Sequence, residues 1–128
     1  MRLLLDTHAL LWWIFDSADL STPARRAIAE PDNAILVSSA AAWEIATKHR
    51  LGKLPDAGAV VGTLPTLLRR ARFDDLLISL AHALEAGALP GPHKDPFDRM
   101  LIAQARLDDL TVVTLDPIFA DYGVPALW

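Results

Sequence analysis

Four acidic residues, Asp6, Glu44, Asp98 and Asp116, occupy positions from which their carboxylates can be gathered at one site. Asp6 follows the apolar run Arg2 to Leu5, and Asp116 follows Thr111 to Leu115. Asp98 falls in the first turn of a segment opened by Asp95-Pro96, and Glu44 lies in the segment that follows Ser38-Ser39. Brought together, four carboxylates repel one another, and such a cluster is costly without a cation. Carboxylate and water oxygens suit the hard divalent ions Mg²⁺ and Mn²⁺. A cation held in this way activates a water and neutralises charge on a phosphoryl group during transfer.

Each residue also has a purely structural reading. Asp6 can cap a helix beginning at Thr7, and Asp116 can cap a turn beginning at Pro117. Glu44 can pair with Lys48 at i,i+4 on a solvated face, although Ala41, Ala42, Trp43, Ile45 and Ala46 give it apolar surroundings. Asp95 reads as an N-cap with Pro96 at the first helical position, which leaves Asp98 as an acid complementing the helix dipole. Spacing leaves a shared site and separate structural roles both open. Other chemistries are closed: the chain has no Cys, hence no thiol nucleophile, disulfide or Cys-based zinc site, and no Ser-His-Asp arrangement is evident.

The elements that must position these residues are short apolar strands alternating with helices. Arg2–Leu5, Ala34–Val37, Leu76–Ile78, Thr111–Leu115 and Val124–Leu127 read as strands. Ala9–Phe15 reads as a helix. A second opens at Ser21-Thr22-Pro23 and ends before Pro31, and a third runs from about Ala40 to Leu51, capped by Ser38 or Ser39 and stopped by Gly52. Ala59–Arg72 is helical, with Gly62 and Pro65 expected to split it or shift its start. Ser79 caps a helix ending at Gly87, Leu89–Lys94 is a loop, and the Asp95-Pro96 helix runs to about Leu107. Such alternation is the signature of an α/β fold with a parallel sheet covered on both faces. These sheets bind ligands beyond the carboxyl ends of their strands, where Asp6 and Asp116 lie.

At 128 residues the chain reads as one domain, 1–128. An apolar fraction of 52% excludes disorder. The longest apolar run, Ala9–Phe15, is too short to span a bilayer, and the N-terminus reads as a strand rather than a signal, which predicts a soluble, cytoplasmic protein with no membrane partner. The net charge of −4 argues against coating nucleic acid by bulk charge. The twelve acids other than the four candidates balance the twelve Lys and Arg, so the −4 is numerically the candidate site. Locally, Glu44–Arg72 carries six cations against two acids, which is either an RNA-facing patch or a solvated helix face. Trp12-Trp13 within Leu10–Phe15 implies a helix buried on nearly all sides, in part by a second subunit or another protein.

Several segments together resemble PIN-domain ribonucleases. Leu3-Leu4-Leu5-Asp6-Thr7-His8 is similar to their opening strand and first acid, and Ser38–Ile45 to their second-acid helix. Lys48–Leu54 resembles the basic stretch that follows it. His93-Lys94-Asp95-Pro96-Phe97-Asp98-Arg99-Met100-Leu101-Ile102-Ala103-Gln104-Ala105 is similar to the third-acid helix, and Val112–Asp116 to the fourth acid with its strand. The resemblance spans about residues 2 to 126, and the compact chain looks like a VapC-type toxin of a toxin–antitoxin pair. It implies a three-layer α/β/α sandwich with a central, mainly parallel sheet of four to five strands. It also implies Mg²⁺- or Mn²⁺-dependent endoribonuclease activity, with Asp6, Glu44, Asp98 and Asp116 as the catalytic acids. Asp6 and Asp98 would be the main metal ligands, with Glu44 and Asp116 completing the site directly or through water. Thr7 and Thr114 are candidates to orient these carboxylates, with ordinary β-propensity or capping as the alternative. Asp95 is a candidate to support them beside its capping role, and Arg99, next to Asp98, is the candidate phosphate contact. His8 and His93 have no evident partner. The implied partners are an RNA substrate, a small antitoxin and a second copy of the chain.

Two other classes fit less well. A phosphatase of the aspartyl-phosphate type needs a second Asp two residues after Asp6, where His8 stands. A phospho-accepting receiver domain needs an acceptor Asp after the third strand and a late Lys; Ser79 follows Ile78, and no Lys follows Lys94. A PIN fold acting only as a binding module is the third alternative, against which the presence of all four acids argues.

Overall fold

A computed structural model describes all residues, 1–128. Five strands, β1 (Arg2–Leu5), β2 (Ala34–Ser38), β3 (Asp74–Leu76), β4 (Thr111–Val113) and β5 (Ala126–Leu127), form one all-parallel sheet in the order β3-β2-β1-β4-β5. Seven α-helices connect them: α1 (Thr7–Ile14), α2 (Thr22–Ala29), α3 (Ser39–Arg50), α4 (Gly58–Ala71), α5 (Leu80–Ala88), α6 (Pro96–Asp108) and α7 (Ile118–Asp121). No helix is long and apolar enough to cross a membrane.

The central strand alternates its side chains between two cores. Leu3 and Leu5 join Ile35, Val37 and Val113 against Ala9 and Leu10 of α1, Ile28 of α2, Ala41 and Ile45 of α3, and Val60, Leu64 and Leu68 of α4. Leu4 points the other way, with Leu36 and Val112, onto Leu101, Ile102 and Ala105 of α6, together with Leu110, Phe119 and Val124. The sheet therefore lies between two helical layers, an α/β/α sandwich. Because both faces of β1 are covered, its residues after Arg2 are apolar without alternation.

Chain order reverses between β1 and β4: from β1 the chain winds outward to β2 and β3, then returns to the other side of β1. A crevice opens at such a switch point. The register sets Leu5 opposite Val113 and Leu4 opposite Leu36, so Asp6, Thr114 and Ser38 emerge at one end of the sheet. The bond from Asp6 N–H to Val113 O, 3.2 Å, extends the β1–β4 ladder by one residue.

Several elements differ from the sequence expectation. The third strand is Asp74–Leu76 rather than Leu76–Ile78. It lies at the sheet edge, where polar residues are tolerated and hydrophobicity is a poor guide. β4 and β5 are shorter than expected, with Thr114–Leu115 and Val124–Pro125 outside the strands, although Pro125 O still accepts the Val112 N–H at 2.9 Å. Helix α1 starts two residues earlier, at Thr7, because Asp6 caps it. Trp12 and Trp13 are half-buried within the chain itself, Trp12 edge-on to Trp128 with ring centres 5.6 Å apart and Trp13 against Phe73 at 6.0 Å, while Phe15 is exposed.

Helix α4 is continuous through Gly62 and Pro65. A proline in a helix interior removes the donor to the preceding turn and costs about 3 kcal/mol. Val60, Leu64 and Leu68, at i, i+4 and i+8, are buried on one face, each contributing roughly 1.5–3 kcal/mol. Burial wins, and Pro65 is left on the exposed side. Pro65→Ala restores the donor and should raise unfolding stability in urea by about 2 kcal/mol, part of the gain being offset by a freer unfolded chain; an unchanged midpoint would show that the helix has already adapted to the proline.

Candidate metal centre

The four acids that sequence reasoning singled out line one cleft of about 370 Å³, together with Thr7, His8, Trp12, Lys48, Asp95 and Leu115. Asp6 stands at the end of β1 because the chain must turn there into α1. Its Oδ1 accepts the Ala9 N–H at 2.7 Å, so the N-cap and the site use the same side chain. Thr114, at the end of β4, accepts the Asp116 N–H at 3.0 Å, and its hydroxyl acts on Asp6 to lower the Asp6 pKa, so it stands between the two acids. Asp116 Oδ1 accepts the Ile118 N–H at 3.0 Å. The expected capping role of Asp116 thus coexists with a place in the cleft, behind which Thr114 stands.

Glu44 is buried, at 4% exposure, on the face of α3 turned toward α1. Thr7 Oγ1 donates to its Oε1 at 2.5 Å, and Lys48 Nζ pairs with its Oε2. The i,i+4 pair with Lys48 exists, then, at the wall of the cleft and not on a solvated face. Burial works to lower the Lys48 pKa, but the Glu44 carboxylate, with Asp95 and Asp98 behind it, outweighs burial and raises it. Lys48 stays charged and neutralises Glu44.

Asp98 sits in the first turn of α6. Asp95 caps that helix, its Oδ1 accepting the Phe97 and Asp98 N–H groups at 2.9 and 3.2 Å. Asp95 also lines the cleft wall beside Asp98. Asp98 Oδ2 bonds His93 Nε2 at 2.9 Å. That contact was not evident from the sequence. Its only local signal is a histidine placed just before the helix, across a loop whose path the sequence does not specify.

Arg99 requires a correction. Its guanidinium is expected near phosphate but donates to the carbonyls of Ala86 (3.0 Å), Leu89 (2.5 Å) and His93 (3.0 Å). It therefore straps the 89–94 loop to α6 and holds His93 on Asp98. The loop has few regular backbone bonds, and buried carbonyls must be satisfied; a five-donor guanidinium does this well.

Burial raises the pKa of Asp6, against the Thr114 and Ala9 hydrogen bonds that lower it. Burial likewise raises that of Asp98; the His93 bond lowers it, and the charges of Asp95, Glu44 and Asp116 raise it further. Both groups thus bear an uncompensated cost as anions, which an added cation would relieve. Hard oxygen donors suit a divalent ion of the Mg²⁺ class. However, no three His, Asp or Glu side chains converge closely enough to hold an ion between them. One reason is visible in the bonds above: each acid has at least one oxygen tied to the protein, and Glu44 has both. Asp98 Oδ1 and Asp116 Oδ2 face no hydrogen-bond donor of the protein. The donor set fits an ion that keeps several waters, as Mg²⁺ does, and Glu44 is the acid least available for direct contact.

Comparison with known proteins agrees with this architecture. The family model described as PIN domain matches residues 3–125. Ribonuclease VapC16 of Mycobacterium tuberculosis is 36% identical over 76 residues, covering 59% of this chain and 54% of that protein, so the match spans about half of the relative's length. Two solved structures share the fold. VapBC2 from Rickettsia felis, bound to a promoter DNA fragment, aligns over 99% of this chain and 98% of that chain with a TM-score of 0.68 and 17% identity. A toxin–antitoxin complex from Klebsiella pneumoniae aligns over 98% and 95% with a TM-score of 0.58 and 22% identity. With the match covering nearly every residue and all four acids falling within it, the chain belongs to the PIN domain family.

Proposed function

We propose that this chain is a divalent-metal-dependent endoribonuclease, the toxin of a toxin–antitoxin pair, acting in the cytoplasm. The observation that carries the reading is that Asp6, Glu44, Asp98 and Asp116, drawn from four separate elements, line one cleft at the switch point of a PIN-family sheet. The names of the relatives, a ribonuclease and two toxin–antitoxin assemblies, support it. Asp6 and Asp98 would hold Mg²⁺ or Mn²⁺ directly, with Asp116 and, less readily, Glu44 acting directly or through water. When bound, the ion supplies a Lewis acid for the phosphodiester and lowers the pKa of a water.

The chain's own residues do the rest. Thr114 and the Ala9 N–H orient Asp6, His93 orients Asp98, and Thr7 and Lys48 fix Glu44, so the free oxygens are aimed before any ligand arrives. Lys48 is the one Lys or Arg lining the cleft and is placed to meet a phosphate beside Glu44. The remaining cations of the basic segment, Arg50, Lys53, Arg69, Arg70 and Arg72, are exposed outside it. An antitoxin and a second copy of the chain complete the reading. Leu77, Leu80 and Leu84, at 71%, 79% and 69% exposure, supply an apolar surface suited to association.

Asp98→Asn keeps the shape and the Asp95 cap but removes a charge. Cleavage of labelled RNA should fall by about a hundredfold or more, and wild-type cleavage should stop on chelation and return with Mg²⁺ or Mn²⁺. Full activity in that variant, or activity indifferent to chelation, would sink the assignment.

The carboxylate pKa shifts give a test that needs no substrate. Asp6 and Asp98 hold their protons more tightly folded than unfolded, so stability from these groups falls as pH rises from the ordinary carboxylate value through their raised values. Above that window the full cost is present. Metal-free Asp6→Asn and Asp98→Asn should therefore melt higher than wild type at neutral pH. Millimolar Mg²⁺ or Mn²⁺ should raise the wild-type Tm and leave both variants nearly unmoved. Lower melting temperatures for both variants would contradict the stated electrostatics.

A further inference from the structure

One wall of the cleft is not acidic. His8, Trp12 and Leu115 line it beside the carboxylates, His8 close to Asp6 and Leu115 next to Asp116 in the chain, and Trp12 and Leu115 are the only apolar side chains among its ten lining residues. Leu115 is 61% exposed, at the position between Thr114 and Asp116. The exposed His8 ring packs beside Trp12, with ring centres 5.5 Å apart and the planes tilted by 43°. Trp12 is braced by Trp128 in a T-shaped contact with ring centres 5.6 Å apart. The indole is thus held rigidly, and its cost of ordering has been met before a ligand arrives. None of this apolar surface is needed to hold a cation, and exposing it to water beside four acids is unfavourable in the free protein.

We propose that His8, Trp12 and Leu115 form a nucleobase-stacking subsite, which receives one unpaired base of the strand whose neighbouring phosphate lies against the acids. The inference rests on the nuclease reading for the identity of that strand. A phosphate never arrives alone: the base attached to the adjoining sugar must lie against one side of the cleft. On the acidic side its edge would compete with Lys48 and His93 for carboxylate oxygens already engaged. At the His8, Trp12 and Leu115 surface it meets aromatic and apolar groups instead. Every base has a π face, so the subsite selects unpaired RNA over duplex without reading sequence. The imidazole adds a second ring, and the Leu115 side chain closes the wall beside Asp116.

The test uses a short single-stranded RNA carrying 2-aminopurine and a second RNA of equal length with an abasic residue at that position. Binding is measured in the Asp98→Asn protein, and cleavage kinetics in the wild-type background. Stacking on the indole should quench the 2-aminopurine. Trp12→Ala should weaken binding of the base-bearing RNA about tenfold and raise KM similarly, with binding of the abasic RNA unchanged. Trp12→Phe should recover most of the loss. Should Trp12→Ala fail to fold, His8→Ala and Leu115→Ala, both exposed, should each show a smaller loss confined to the base-bearing RNA. Equal losses for both RNAs, or none in any variant, overturn the subsite, and the former would point to a wall that serves a protein ligand or the fold. If wild type cleaves RNA and the subsite variants do not discriminate, the nuclease reading stands and the subsite falls. If wild type does not cleave but the base-selective quench persists, the reverse holds.

Discussion

The register of β1 against β4, Leu5 opposite Val113, is the constraint on which both the packing and the site depend. It places a strand with both faces covered at the centre of the sheet. It also brings together the two chain ends that leave the sheet at the switch point, Asp6 from β1 and Thr114–Asp116 from β4. A slip of one residue would exchange Leu4 with Leu3 and Leu5 between the two cores and move Asp6 away from Thr114. Stability and chemistry are therefore specified by the same hydrogen bonds.

Gathering carboxylates at that point has a cost, visible as the raised pKa values of Asp6 and Asp98. The fold limits it by giving each acid a local partner: a helix N-terminus for Asp6, a turn for Asp116, His93 for Asp98, and Thr7 with Lys48 for Glu44. The structural and functional readings of these residues turn out to be compatible. A capping carboxylate uses one oxygen, and the other can serve a ligand. The partners also explain why the acids stand around the cleft rather than collapsing to its centre, since each is drawn toward its own wall.

Legibility in the sequence follows the range of the interactions involved. β1 and β2 are evident as apolar runs because strands covered on both faces must be apolar. Ser79, Asp95 and the Ser38-Ser39 pair are recognisable as caps because a cap acts within three residues, the structure choosing Ser38. β3 is misplaced because an edge strand is half solvated and its pairing with β2 supplies what its side chains do not. The continuity of α4 is missed because Pro65 is a local signal, overridden by Val60, Leu64 and Leu68 packing on strands far along the chain. Arg99 is misassigned for a similar reason. Beside Asp98 in sequence it looks available to phosphate, but helix geometry turns it toward the 89–94 loop, whose carbonyls need donors.

The sequence by itself determined the fold class, the ordered acids and their family, because these reside in residue type, apolar runs and motif spacing. It also marked Asp95 as the N-cap candidate of α6, with Asp98 in the first turn, because a cap acts within three residues. Only the tertiary structure decided which oxygens are already engaged, that Lys48 neutralises Glu44 in the cleft, that His93 holds Asp98, and that Trp12 and Leu115 line the same cleft as the acids. Each of these depends on the direction in which a side chain leaves its element, and on which distant element meets it there. Those directions are set by strand order and crossover, which bring residues together that are as far apart along the chain as Asp6 and Asp116.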